Sequence, residues 1–180
     1  SNAYIPVPTT NRLYVFDALD LSTNVHVSSV GTNPVSVAFN KSGTRAYVVN
    51  QGSNQVAEFD TTGVAPGFIT LSTVGTAPVD IQVTSTNYGY VVNSGSNNVS
   101  ILDCGTSPLP TSLTTVTAGT NPIAIQLAPD NLYYAYIAAS GSDNVYVINT
   151  GNPLFGATSA TAVGTNPNSI AFTLDGSLAY

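Results

Sequence analysis

The stretch Val30-Gly31-Thr32-Asn33-Pro34 decides the fold of this chain, because it returns three more times. The later copies read Val74-Gly75-Thr76-Ala77-Pro78, Ala118-Gly119-Thr120-Asn121-Pro122 and Val163-Gly164-Thr165-Asn166-Pro167. The prolines stand at positions 34, 78, 122 and 167, so the period is 44 residues twice and then 45. Self-similarity at a fixed period of this length is typical of a repeat architecture.

Each period contains the patterns of four short strands. In the first complete repeat, apolar and polar residues alternate over residues 35–39, and a turn signal separates this run from the β-branched and aromatic residues 46–50. A third strand is predicted at 55–60 and a fourth at 68–74. No stretch shows the apolar stripe of an amphipathic helix. Four antiparallel strands at this period predict an all-β fold, a β-propeller whose repeats are its blades.

The phrase Tyr47-Val48-Val49-Asn50, preceded by Gly-Thr-Asn-Pro and followed by Phe59-Asp60, resembles the YVTN family of propeller repeats. That family occurs in surface-layer and lactonase-like propellers. The resemblance implies the propeller fold, but it leaves both an enzyme and an adhesive scaffold open as functions. The third repeat departs from the pattern, because Ala139 stands where the asparagine is expected.

Residues 1–3, Ser-Asn-Ala, resemble the remnant of a cleaved expression tag, so we expect one propeller domain or segment over residues 4–180 with repeat boundaries near the four prolines. The alignment places both ends of the sequence in a second strand, which gives sixteen strands. A closed four-bladed ring is one solution. We expect instead four blades of a larger ring, because small inner-strand residues suit narrow wedges. Open blade edges would then be free for self-association. The small inner residues are Ser36, Ala38, Ala124, Ser169 and Ala171.

Composition excludes several function classes. Only 7% of the residues are charged and the net charge is −6, so a cationic patch for nucleic acid is not available. No apolar run is long enough to span a bilayer, so we expect no transmembrane segment. The polar, weakly charged surface favours a secreted or cell-surface protein. His26 and Cys104 are the only histidine and cysteine, and neither has the neighbours that metal or nucleophilic chemistry needs.

The turns and connectors at one end of the blades are rich in amides and hydroxyls. In an up-and-down blade, the turn between strands two and three lies at the same end as the connector to the next blade. This rim is our candidate ligand-binding surface for a protein or a glycan, although tight turns favour the same residue types. The candidate residues are Asn33, Asn50, Asn54, Asn93, Asn97 and Asn121.

Three further polar residues, Asp80, Gln82 and Gln126, lie on predicted inner strands and are expected to face the channel. A single carboxylate without a neighbouring base does not make a general acid–base pair. The acidic or amide residues that end each third strand are expected to cap turns rather than to bind calcium, since they lie in separate blades. These residues are Asp17, Asp60, Asp103 and Asn149.

The sequence therefore favours a non-catalytic propeller that serves as an extracellular binding scaffold, without cofactor or metal. The alternative is part of a lactonase-like enzyme whose active-site residues lie in other blades. Two expectations concern stability. The repeated tyrosines Tyr47, Tyr90 and Tyr136 should pack between neighbouring blades, and Asn54→Ala should have little effect.

Overall fold

The computed structural model describes residues 2–63, 65–108, 112–129, 133–152 and 157–180. These residues form fifteen strands and two short 3-10 turns, at Pro8–Thr10 and Gln51–Ser53. The strands are β1 Asn2–Val7, β2 Arg12–Asp17, β3 Asp20–Ser29, β4 Pro34–Phe39, β5 Arg45–Asn50, β6 Gln55–Asp60, β7 Gly67–Thr73, β8 Pro78–Val83, β9 Tyr88–Asn93, β10 Asn98–Asp103, β11 Thr114–Thr117, β12 Pro122–Leu127, β13 Tyr134–Ala139, β14 Asn144–Asn149 and β15 Ala157–Ala162.

The strands form four antiparallel sheets, which we number as blades 1 to 4 along the chain. Blade 1 has three strands in the order β1-β2-β3, and the other blades have four each, in the orders β4 to β7, β8 to β11 and β12 to β15. The inner strands β4, β8 and β12 contact one another in succession, and β1 contacts β4. This confirms the all-β propeller prediction. The sheets do not close into a ring.

The last described residues start a fifth unit. Ala171 and Tyr180 exchange two backbone hydrogen bonds, of 3.0 and 2.8 Å, around the turn that contains Asp175. Phe172 and Ala179 form an isolated bridge. The sixteenth predicted strand is therefore present as one side of a short hairpin, and β1 has no inner strand hydrogen-bonded to it among the described residues.

The core lies between the blades, where the tyrosine of each second strand packs against the next blade. Tyr47 and Tyr90 are fully buried and belong to clusters that include Ile81 and Ile125 of the following blades. Tyr136 is only half-buried, because its neighbour is the terminal hairpin, whose Phe172 ring lies 5.0 Å from it. The predicted interblade position is thus confirmed for all three tyrosines.

The departure in the third repeat has a packing explanation. In blades 2 and 3, Asn50 and Asn93 fill the space beneath Gly31 and Gly75, and a Cβ on Gly31 would lie 2.7 Å from Cγ of Asn50. In blade 4, Tyr146 occupies the corresponding space beneath its own connector glycine. Alanine at position 139 makes room for that ring, so the missing asparagine and the added tyrosine compensate each other.

Candidate functional site

The rim is built by hydrogen bonds between each connector and the turn that follows strand two of the same blade. In blade 2, the N–H of Gln51 donates to the carbonyl of Asn33 and the N–H of Gly52 donates to the carbonyl of Thr32, both at 2.9 Å. In blade 3, the N–H of Ser94 donates to the carbonyl of Ala77 in the same way, at 3.0 Å. Connectors and second turns therefore lie at one end of the blades, as the strand order predicts.

An asparagine latch joins each blade to the next connector. Oδ1 of Asn54 accepts the N–H of Ala77, and Oδ1 of Asn97 accepts the N–H of Asn121, both at 2.8 Å. Asn54 and Asn97 have φ of 56° and 57°, a left-handed conformation that asparagine tolerates well. Their carboxamide oxygens are therefore occupied within the protein. In the same way, Oδ1 of Asn11 accepts the N–H of Asn33, and Oδ1 of Asp143 accepts the N–H of Asn166, each at 2.8 Å.

The connector asparagines are also engaged. Nδ2 of Asn33 donates to Oε1 of Gln51, and Nδ2 of Asn121 donates to Oγ of Ser140, each at 2.7 Å. Both residues are left-handed, with φ of 52° and 47°. Their side chains hold the connector against the turn, so the amide groups that the sequence offers to a ligand are largely used to build the rim itself.

The structure removes Asn50 and Asn93 from the predicted ligand-binding residues. Both side chains are fully buried, because they end strand two beneath the connector rather than lying on the rim. Nδ2 of Asn93 donates to Oδ1 of Asn98 and Oγ of Ser100, at 2.8 and 3.0 Å. A side chain without solvent exposure cannot contact a ligand at the rim, so these two residues are structural.

The connector threonines are exposed, as are Asn97, Asn121 and Asp143 on the same rim, while Asn33 and Asn54 are half-buried. Thr32, Thr76 and Thr120 are all exposed, and each peptide N–H is fixed by a serine hydroxyl of the adjoining turn at 3.0 to 3.2 Å. The sequence places these threonines on the rim, where they recur in every copy of the phrase, but the candidate ligand-binding residues chosen from it were the asparagines. The recurrence of the threonines looked like turn chemistry alone, and only the hydrogen bonds of their neighbours show which side chains remain accessible.

Charge is distributed unequally between the two ends of the blades. Along the rim, Asp143 is charged and Arg12 begins the adjoining strand, while the other connector and turn residues are uncharged. The opposite end, formed by the first turns and the segments after strand three, carries both signs of charge. Its charged residues are Asp17, Lys41, Arg45, Asp60, Asp103 and Asp175.

Asp80 connects three inner strands instead of standing free in the channel. Oδ1 accepts the hydroxyl of Ser36 at 3.0 Å and the N–H of Ile81 at 2.8 Å, while Oδ2 accepts the N–H of Ile125 at 3.2 Å. Burial raises the pKa of Asp80, although these three hydrogen bonds oppose the shift. Gln82 and Gln126 are half-buried on the inner strands, and Nε2 of Gln126 donates to the carbonyl of the next residue at 3.3 Å.

A cleft of about 210 Å³ between blades 2 and 3 brings together residues that sequence reasoning left apart. It is lined by Arg45, Glu58 and Cys104 among others. Glu58 is fully buried at a position where β2 and β10 carry Val15 and Ile101, and Nε of Arg45 lies 3.6 Å from its Oε1. A charged residue where the repeats are otherwise aliphatic is the signal that was missed.

The chemistry available in this cleft is limited. Nη1 of Arg45 is bonded to Oδ2 of Asp60 at 2.9 Å, and the Glu58 carboxylate is closed off from solvent. Burial raises the pKa of the Cys104 thiol to about 12, so the thiolate that a nucleophile needs is scarce. The hydroxyl of Tyr47 donates to the Cys104 carbonyl at 3.2 Å. The cleft therefore contains a buried ion pair and an inert thiol.

The residues that end each third strand cap turns, which confirms that interpretation for all four of them. Oδ1 of each side chain accepts a backbone N–H two residues on, at 2.8 to 2.9 Å; the four are Asp17, Asp60, Asp103 and Asn149. His26 is half-buried on β3, opposite Val15. Across the part of the chain that the structure describes, three or more His, Cys, Asp or Glu side chains do not gather into a metal-binding group. None of the described residues forms a helix long and apolar enough to cross a membrane.

Comparison with known proteins supports the fold. No family model and no curated protein matches the sequence. Hydrazine synthase from Kuenenia stuttgartiensis has a similar structure, with a TM-score of 0.84, 20% identity and coverage of 98% of this chain and 50% of its own. A "putative 6-phosphogluconolactonase" from Bacteroides uniformis ATCC 8492 gives 0.82 at 14% identity, covering 99% of this chain and 59% of its own.

A protein from Lactobacillus plantarum is also similar, with a TM-score of 0.73 and 20% identity over 93% of this chain and 54% of its own. The chain thus spans about half the length of these three proteins. Likenesses at such low identity show the propeller fold alone. The resemblance to YVTN repeats rests on the sequence motif alone.

Proposed function

We propose that this propeller segment is a non-catalytic binding scaffold of a secreted or cell-surface protein, and that the rim is its binding surface. The observation that carries the proposal is that polar side chains make hydrogen bonds and ion pairs within the protein. The asparagines latch the connectors, Asp80 joins three inner strands, and Arg45 pairs with Asp60 and lies beside the buried Glu58. The chemistry-bearing groups therefore support structure, and the exposed side chains of the rim, its threonines above all, remain for contact.

Catalysis by these residues has little support. General acid–base work needs a titratable group within hydrogen-bond reach of the substrate. Asp80 is surrounded by its three donors, Glu58 has no solvent exposure, and the Cys104 thiol is protonated at neutral pH. The rim, by contrast, exposes hydroxyl groups, which can both donate and accept hydrogen bonds with a partner.

The alternative is a lactonase-like enzyme whose active site draws on other blades. One observation favours it: a similar structure is that of a protein named as a putative 6-phosphogluconolactonase, and this chain corresponds to 59% of its length. An active site at the channel mouth would then combine residues of this segment with residues of the remaining blades. Asp80, which lies on an inner strand, would be the acidic group that this segment contributes.

Lactone hydrolysis separates the two functions. The natural full-length protein should be incubated with 6-phosphogluconolactone and with an uncharged δ-lactone, and hydrolysis followed against the buffer rate. We expect no increase over buffer. Enzymatic hydrolysis that is lost in Asp80→Asn and retained in a rim variant, Asn97→Ala, would favour the enzyme and refute the scaffold.

A further inference from the structure

Resting on the proposed role of the rim as the binding surface, we propose that its partner is an uncharged polysaccharide, contacted by the exposed hydroxyls of the connector threonines. Each complete blade places one threonine there, Thr32, Thr76 and Thr120, and Thr165 repeats the pattern in the fifth unit. The partner class follows from the groups that the rim offers and from those that it lacks.

The rim lacks anchors for a protein partner. Protein interfaces depend on a few large side chains, mainly Trp, Tyr and Arg, that become buried at the centre of the contact. Among the described residues, the exposed large apolar side chains of blades 2 to 4 lie along the outer strands or at the opposite end, as Phe68, Leu71 and Tyr133 do. Val163, which leads into the last connector, is the exposed large apolar residue nearest the rim. A protein would find little apolar surface to bury.

The rim also carries little charge for an ionic polymer, with one acidic and one basic residue among those described, Asp143 and Arg12. Asp143 has its Oδ1 bonded to the N–H of Asn166, and Arg12, which pairs with Ser29 beside the first connector, is the one basic residue near the rim among the described residues. An anionic polymer would meet a protein with net charge −6 and would gain no ion pairs from these connectors. A neutral polymer avoids this repulsion, and its hydroxyls need hydrogen-bond partners rather than counter-charges.

The connectors present the threonines rigidly. In blade 2, the peptide N–H of Thr32 is held by Oγ of Ser53 at 3.1 Å and its carbonyl by the N–H of Gly52 at 2.9 Å. Ser96 and Gly95 hold Thr76 in the same way, at 3.0 Å each. Because the backbone is already ordered, binding costs less conformational entropy than it would on a mobile loop.

The hydroxyls themselves are available. Within the described residues, the Oγ1 atoms of Thr32, Thr76 and Thr120 have no hydrogen-bond partner, although the peptide groups of all three are bonded. A threonine hydroxyl donates one hydrogen bond and accepts two, which matches the hydroxyl of a sugar. A repeating polysaccharide can contact several blades at once, so that individually weak contacts add through avidity.

The test is retention of the chain on immobilised dextran, mannan and cellulose, with alginate as an anionic polymer and gelatin as a protein. The key variant is T32V/T76V/T120V, which removes the three hydroxyls at nearly constant side-chain volume. The matched control, T70V/T115V/T161V, removes three threonine hydroxyls from the outer strands of blades 2, 3 and 4, away from the rim. Both variants should first be shown to melt cooperatively.

We expect wild type and control to be retained by at least one neutral polysaccharide, and the rim variant to bind at least tenfold more weakly. Absence of retention on all three neutral polymers, equal retention of the rim variant, or preference for alginate or gelatin would each overturn the inference. Its failure is distinct from failure of the scaffold proposal, since the lactone assay, and not retention on a polymer, tests the lactonase alternative.

Discussion

Ala77 occupies the fourth position of the repeated phrase, where the other three copies have asparagine. Replacing it by asparagine should stabilise the protein. Its φ is 49°, and the residues at the equivalent positions in the other copies are all asparagine with φ between 47° and 58°. The left-handed conformation costs an alanine about 1 kcal/mol more than it costs an asparagine. Ala77→Asn relieves this strain without moving the backbone.

The same substitution should add a hydrogen bond. In blade 4, Nδ2 of Asn121 donates to Oγ of Ser140 at 2.7 Å, and that hydroxyl donates back to the Asn121 carbonyl at 3.0 Å. Ser94 already donates to the Ala77 carbonyl at 2.9 Å, so it is placed to accept a new Nδ2 group. A hydrogen bond of this kind contributes about 1 kcal/mol.

The two effects together predict a gain of about 2 kcal/mol in the free energy of unfolding, or roughly 4 to 8 °C in melting temperature for a domain of this size. Urea denaturation and calorimetry of wild type and Ala77→Asn measure the gain. Ala77→Gly relieves the strain without the amide and should give a smaller change, while Asn121→Ala should lose a similar amount. If Ala77→Asn melts at or below the wild-type temperature, the strain argument is wrong.

Three other outcomes are expected. The Tyr90 hydroxyl is buried without a hydrogen-bond partner, while the Tyr47 hydroxyl has one. Tyr90→Phe should therefore raise the free energy of unfolding by about 1 kcal/mol, and Tyr47→Phe should lower it by about as much. Equal changes for the two variants in calorimetry would contradict this. Because burial raises the pKa of Asp80 above its ordinary 3.8, the folded state holds its proton more tightly than the unfolded chain does. Wild-type stability relative to Asp80→Asn should therefore fall as the pH rises from about 4 through the raised pKa, and urea titrations that show the opposite slope would refute it. Cys104, with a pKa of about 12, should resist an aromatic disulfide reagent at pH ~8 until the protein unfolds, so rapid labelling of the native chain would show that the thiol is accessible.

The structure also changes one expectation about stability. The sequence suggested that Asn54→Ala would have little effect, because asparagine is common in turns. Asn54 is left-handed and its Oδ1 accepts the Ala77 N–H at 2.8 Å, so alanine loses an interblade hydrogen bond and gains strain. The substitution should cost about 1 to 2 kcal/mol. A turn residue that joins two blades cannot be recognised from its turn propensity alone.

The repeat by itself determined the architecture of this protein. The recurrence of Gly-Thr-x-Pro at a constant period, with two-residue alternation after it, specifies strand number, strand order and the shared end of the connectors. It also identifies Tyr47 and Tyr90 as core residues, because a large aromatic on every second strand must be buried between sheets. These properties are local and periodic, and so they are visible in the order of the residues.

Tertiary structure alone decided which polar groups are available. Asn50 and Asn54 are close in sequence, yet one is fully buried beneath a connector and the other latches the next blade. Asp80 finds donors on strands that lie 44 and 45 residues away. Glu58 lies in an interblade core beside Arg45 although its own strand pattern would place a valine or isoleucine there. Burial and hydrogen bonding depend on neighbours in space, which a single sequence does not contain.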